Sequence, residues 1–110
     1  MNIVNHPAHY NKGASQSARK ALAALGISEF EDECIEVLEQ HHADIINDGH
    51  LMTAVIYLWR CEYKGQNKKD LEKAQWWLSR ALGYRIYSSE RAQRISGCMS
   101  EVSTLIKKYA

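Results

Sequence analysis

The sequence predicts an all-α fold, a small bundle of four to five helices over residues 14–110 preceded by an extended N-terminal arm, residues 1–13. Three observations point there. Apolar residues recur three and four positions apart along most of the chain, the repeat of a single helix face. No segment alternates apolar and polar residues long enough to form a strand, and Ile86-Tyr87 with its neighbours is too short. One proline and six glycines in 110 residues are too few for a turn-rich or disordered chain. This length fits one domain, in which roughly two-thirds of the unfolded surface is buried.

The arm, Met1 to Gly13, is short and polar and contains Pro7. The first helix spans residues 14–25, rich in helix formers, and Gly26 is placed to cap its C-terminus. Ser28-Glu29-Phe30-Glu31 has the form of a capping box and opens the second helix. That helix carries apolar positions 30, 34, 35, 38, 42 and 45, with acids in the first turns where the helix dipole favours them. Asn47-Asp48-Gly49 breaks it. The third helix runs from about His50 to Tyr63 with Leu51, Ala54, Val55, Leu58 and Cys61 inward, and Gly65 terminates it. Asn67, with Asp70 three residues on, caps a fourth helix that turns Leu71, Ala74, Leu78 and Leu82 inward and ends at Gly83. The last helix starts at Ser88 or Ser89. Its Ile95, Met99, Val102, Ile106 and Tyr109 resemble a coiled-coil seam, which either closes the core or joins copies of the chain.

Several function classes are excluded. No apolar run approaches the roughly 20 residues needed to span a bilayer, and the N-terminus lacks the basic and apolar regions of a secretory signal. Cys34, Cys61 and Cys98 are odd in number and form no CxxC pair, so they are expected as small apolar residues in a reducing cytoplasm, not as zinc ligands. The net charge of +1 conceals an asymmetry. Residues 29–48 hold eight acids and no Lys or Arg, while residues 60–94 hold nine bases and four acids. Such polarity suits an anionic ligand or self-association. The acidic second helix and near-zero net charge argue against a surface that tracks long nucleic acid.

The sequence contains none of GxxxxGK[ST], GxGxxG, GxSxG or HExxH. Its densest chemistry is an aromatic and basic stretch. Tyr57, Arg60, Tyr63 and Lys64 share helical spacing on the third helix, and Lys69, Lys73, Trp76, Trp77 and Arg80 do so on the fourth. A short turn makes these helices neighbours and brings Arg60 and Lys64 toward residues 68–73. Cations there can hold phosphate, and tyrosine or tryptophan can stack on a base. Trp76 and Trp77 are adjacent and point about 100° apart, so at least one belongs to the core. His6 and His9 in the arm have a spacing that binds metal only on a helix, which Pro7 opposes. Glu33 with Glu36, and the pair His41-His42, are more simply solvated helix positions. No metal or cofactor is assigned.

Four motifs occur in order: Val4-Asn5-His6-Pro7-Ala8-His9-Tyr10, Glu33-Cys34-Ile35-Glu36-Val37-Leu38-Glu39, Tyr57-Leu58-Trp59-Arg60 with Lys64, and Asp70-Leu71-Glu72-Lys73-Ala74-Gln75-Trp76-Trp77-Leu78. Together they resemble the SaV-like domain family of bacteriophage proteins, over the arm and residues 33–78. The sequence departs from that pattern by an inserted segment, Gly13 to Glu31, and by Met52-Thr53-Ala54 before the Tyr-Leu-Trp-Arg motif. The family includes a coliphage nucleotide kinase without a Walker loop, so the resemblance implies a nucleotide-binding surface. It also implies the His-Tyr arm as a companion to the basic stretch.

The expectation is therefore a phage-encoded, homo-oligomeric protein in the cytoplasm of the infected host. It would bind a small nucleotide or nucleotide-derived immune signal and sequester it. Arg60, Lys64 and Lys73 would hold phosphate, and His6, His9, Tyr10, Tyr57 and one of Trp59 or Trp76 would hold base or ribose. A kinase acting on deoxynucleoside monophosphates and an inhibitor of a host protein, docking through the acidic second helix, are the alternatives.

Overall fold

The computed structural model describes residues 13–109. A 3₁₀ turn, Gln16–Ala18, leads into α1 (Arg19–Ala24); then follow α2 (Cys34–His41), α3 (Ala43–Ile46), α4 (Gly49–Arg60), α5 (Asn67–Tyr84) and α6 (Ser89–Lys108). The described residues contain helices and no strand, as the periodicity predicts. α4 and α5 form an antiparallel hairpin, α6 packs along α1 and α5, and α2 and α3 cover one side of α4. Residues from the 3₁₀ turn and every helix meet in one apolar cluster, with Leu22, Leu38, Ile45, Leu58, Trp59, Leu71, Leu78 and Ile95 fully enclosed.

α1 stops where the glycine predicts. Gly26 takes φ of 95°, its N–H donates to the Ala23 carbonyl at 2.9 Å, and Ile27 donates to Leu22 at 3.1 Å. This double closure satisfies the last carbonyls of the helix.

The capping box does not form. Residues 27–33 are non-helical, and α2 begins at Cys34. Long-range pairing wins over the local motif here. The Phe30 carbonyl accepts the Ala14 N–H at 2.7 Å, Ser28 turns its hydroxyl to the Glu29 carboxylate, and Glu29 is held by the His42 imidazole at 2.8 Å. The second helix is also broken at His42, where φ of −139° and ψ of 59° separate α2 from α3. Most acids of this region face water, and two of the exposed ones are also paired. Glu31 pairs with Arg19 of α1 at 3.2 Å, and Asp44 pairs with Arg91 of α6.

The third helix matches its expected inner face, since Leu51, Ala54, Val55, Leu58 and Cys61 are all buried. Its N-cap is Asp48, which accepts the Leu51 N–H at 3.2 Å. The fourth helix begins one residue beyond Gln66, so Asn67 is its first residue and not its cap, and it continues through Gly83 to Tyr84. A glycine inside a helix costs only about 1 kcal/mol, and the burial of Leu78 and Ala81 just before it holds that turn. In α6 the enclosed line is Ile95, Cys98, Val102 and Leu105. Met99 and Ile106 are half-buried beside it, and Tyr109 lies at the rim. Two overlapping 3–4 registers exist in that sequence, and the core takes the one centred on Cys98. Of the predicted seam only Ile95 and Val102 are enclosed, while Met99, Ile106 and Tyr109 lie at the edge of the core.

The chain entering the bundle is tied to the end of α4. Ser15 is fully buried. Its N–H and hydroxyl both donate to the Trp59 carbonyl at 2.8 Å, and its oxygen accepts the Glu62 N–H at 3.0 Å. The Tyr63 hydroxyl donates to the Gly13 carbonyl at 2.7 Å. Gly13 itself lies so close to the Phe30 carbonyl that a Cβ would overlap it.

Candidate functional site

The antiparallel hairpin builds a single polar and aromatic face. On α4, His50, Thr53, Tyr57 and Arg60 recur at helical spacing; on α5, Asp70, Lys73, Trp77 and Tyr84 do the same. Because the helices run in opposite directions, Arg60 and Tyr57 meet the start of α5 and His50 meets its end. The Arg60 guanidinium carbon lies 4.8 Å and the Lys73 ammonium 5.5 Å from the centre of the Tyr57 ring. Arg60 Nε is 3.8 Å from the buried carboxylate of Asp70. At the other end the His50 ring is 5.0 Å from Tyr84 and 5.6 Å from Trp77.

Two clefts open at that second end. One, of about 370 Å³, is lined by Trp76, Ser79, Arg80, Gly83 and Tyr84. The other, of about 430 Å³, is lined by Gly49, His50, Thr53, Trp77, Tyr84 and Arg85. Trp76 and Trp77 stand edge to face with ring centres 5.0 Å apart, and the Arg80 guanidinium lies 5.3 Å over Trp76. Trp76 is 54% exposed and Tyr84 73%. Placing large rings in water contributes nothing to folding. A cation against an exposed ring returns about 0.5–1 kcal/mol.

Asp48 positions the rim of the second cleft. Besides capping α4, it accepts the Tyr87 hydroxyl at 2.7 Å and pairs with Arg85 at 3.0 Å. Burial and the adjacent carboxylate push the Tyr87 phenol well above its usual range, so it is a neutral donor. The loop after α5 is thereby held against the start of α4, with Arg85 over the Tyr87 ring at 5.7 Å.

The expected ligand residues divide into five groups. Tyr57, Arg60 and Lys73 come together as predicted. Trp76 is on the surface beside Arg80, while Trp77 packs partly into the core, which satisfies the 100° argument. Lys64 is exposed in the turn between the helices and does not join Tyr57. Trp59 is 2% exposed and is a core residue. The apolar stripe of α4 is wide enough to include position 59 beside 55 and 58, so no face of that indole is open to a ligand. His6, His9 and Tyr10 lie outside the described residues.

His50, Thr53, Tyr84 and Arg85 were not anticipated. His50 lies seven residues before Tyr57 and Tyr84 seven after Trp77, so the same periodicity contains them. Ending the fourth helix at Gly83 removed Tyr84 from the face.

The thiols are unreactive in this setting. Burial pushes Cys34 and Cys98 up to about 12, and Cys61 upward as well. Among the described residues, no group of three or more His, Cys, Asp or Glu side chains gathers as a metal ion requires. No helix among them is long and apolar enough to cross a membrane.

Residues 28–79 match a family of proteins of unknown function, DUF3310. That span takes in α2 to α4, the Tyr57–Arg60–Lys73 group and both α5 tryptophans; Arg80, Tyr84 and Arg85 lie just beyond it. Neither a curated relative nor a solved structure matches the chain. Over 52 of its 110 residues, from 28 through 79, the chain is similar to DUF3310.

Proposed function

We propose that this chain is a nucleotide-binding protein that holds a small, phosphate-bearing nucleotide on the α4–α5 face and sequesters it without converting it. One observation carries the reading: the rings along this face have a cation or imidazole set against them. Arg60 and Lys73 flank Tyr57, His50 flanks Trp77 and Tyr84, and Arg80 covers Trp76. A heterocyclic base needs a ring to stack on, worth about 1–3 kcal/mol per base. Its phosphate needs a nearby cation, for which the guanidinium fork is well shaped. This face supplies both within one helical hairpin.

The resemblance of the motifs to phage proteins extends the reading to a bacteriophage product in the host cytoplasm, where such a sponge would remove an immune signal. In the same reading, copies of the chain associate, and a neighbouring copy closes the open clefts.

Calorimetric titration of the purified chain tests the reading. The panel is deoxynucleoside monophosphates, cyclic dinucleotides and cyclic ADP-ribose derivatives. Binding of at least one, weakened by Trp76→Ala, is the expected result; no binding across the panel refutes it. Chromatography of the bound ligand after incubation with a nucleoside triphosphate separates holding from phosphoryl transfer, because a sequestering protein returns the ligand unchanged.

A further inference from the structure

The two clefts repeat one another. Each has a tryptophan (Trp76, Trp77), an arginine (Arg80, Arg85), a hydroxyl (Ser79, Thr53) and a glycine (Gly83, Gly49), and they share Tyr84 as a common wall. A Cβ at Gly83 or Gly49 would meet nothing within 4 Å, so both floors are open. Trp76 and Trp77 meet edge to face, with their planes 86° apart, and each lines a different cleft. The first cleft therefore offers the Trp76 ring and the second the Trp77 ring, with Tyr84 standing between them and accessible to both.

From this duplication we infer that the face takes a dinucleotide: two planar bases joined by a phosphate-bearing bridge, one base in each cleft, with the bridge passing Tyr84 between Arg80 and Arg85. The inference rests on the nucleotide-binding reading and specifies its ligand. A mononucleotide fills one cleft and leaves the other ring and arginine unused. Linking two bases makes the second contact intramolecular, with an effective concentration near the millimolar range for a short linker, and raises affinity well above that of either half.

The test compares AMP with the linear dinucleotide pApA, and GMP with pGpG, by calorimetry on the full chain. One dinucleotide is expected per chain, bound at least about 10-fold tighter than the mononucleotide, and two mononucleotides per chain. Arg80→Ala should abolish the first mononucleotide site and His50→Ala the second. Each should lower dinucleotide affinity toward that of the mononucleotide. Circular dichroism confirms that both surface variants keep their helices. Equal affinities for mononucleotide and dinucleotide, or two dinucleotides per chain, would overturn the two-base inference and leave nucleotide binding standing. Binding of none of the four would overturn the two-base inference, and the nucleotide-binding reading falls with it only when its own panel is also empty.

Discussion

Replacing each of two tryptophans by alanine separates core from surface on this hairpin. Trp59 is 2% exposed and Trp76 is 54% exposed. A tryptophan side chain buries up to about 250 Å², and at about 25 cal/mol per Å² full burial is worth about 6 kcal/mol as an upper bound. Trp59→Ala forfeits nearly all of that and leaves a cavity in the apolar core, so a loss of about 3–5 kcal/mol is expected. Trp76 keeps a little under half its surface covered, partly by the guanidinium of Arg80 and the ring of Trp77. Its removal opens no sealed cavity and should cost about 1 kcal/mol. Urea unfolding followed by circular dichroism measures both; with a slope of about 1.5 kcal/mol/M the midpoints fall by about 2–3 M and under 1 M respectively. Where Trp59→Ala does not accumulate, Trp59→Phe preserves the order of effects. The same two proteins separate stability from binding: Trp76→Ala should lose about 10-fold in nucleotide affinity, and Trp59→Phe should lose none while still folded. Equal midpoint shifts, or a larger shift for Trp76, would refute this division of the hairpin.

Four further outcomes follow from the packing. Ser15→Ala leaves the Glu62 N–H without its acceptor and should cost about 1–3 kcal/mol by urea unfolding, although the Trp59 carbonyl keeps its bond from the residue 15 amide. Gly13→Ala drives a Cβ into the Phe30 carbonyl and should lower the melting temperature by several degrees, about 4 °C for each kcal/mol lost. Asp48→Ala removes the α4 cap and the partner of Tyr87 and Arg85 at once; a loss of about 2 kcal/mol or more is expected, with amide exchange rising at residues 85–88. The buried Cys98 thiol stays protonated up to about 12 in the folded chain but ionises from about 9 when unfolded. The unfolded state therefore holds fewer protons above pH 9, and stability is lost as pH rises from 9 toward 12. At pH 10 the loss is about 1.4 kcal/mol for this thiol, and Cys98→Ala should lack that part of the alkaline decline.

Helix type and order were legible because they depend on local periodicity and on glycine geometry. Gly26 ends α1 through a backbone closure that any reader of the local sequence can foresee. The failed capping box at Ser28–Glu31 had no such local safeguard. Its residues are claimed by Ala14 and His42, which are 16 and 13 positions from Phe30 and Glu29, and no window of a few residues contains that competition. Trp59 was misplaced because it adjoins the chemically expressive Arg60, while the width of an apolar stripe is set by how many helices surround it. The half of the site at Tyr57, Arg60 and Lys73 followed from spacing alone. The half at His50, Tyr84 and Arg85 depended on α5 continuing through Gly83, which tertiary packing decides.

The ties between residues 13–17 and 59–63 also dictate an order of assembly. Ser15 reaches Trp59 across 44 positions, and Gly13 reaches Tyr63 across 50. α1 on its own spans six residues, too short to persist in water. Residues 13–17 therefore stay solvated until α4 has formed and can receive them, and α1 gains its second neighbour only when α6 is complete. Folding of this small helical protein should be slower than that of a bundle of similar size built from sequential hairpins, because its ties close loops of 44 and 50 positions.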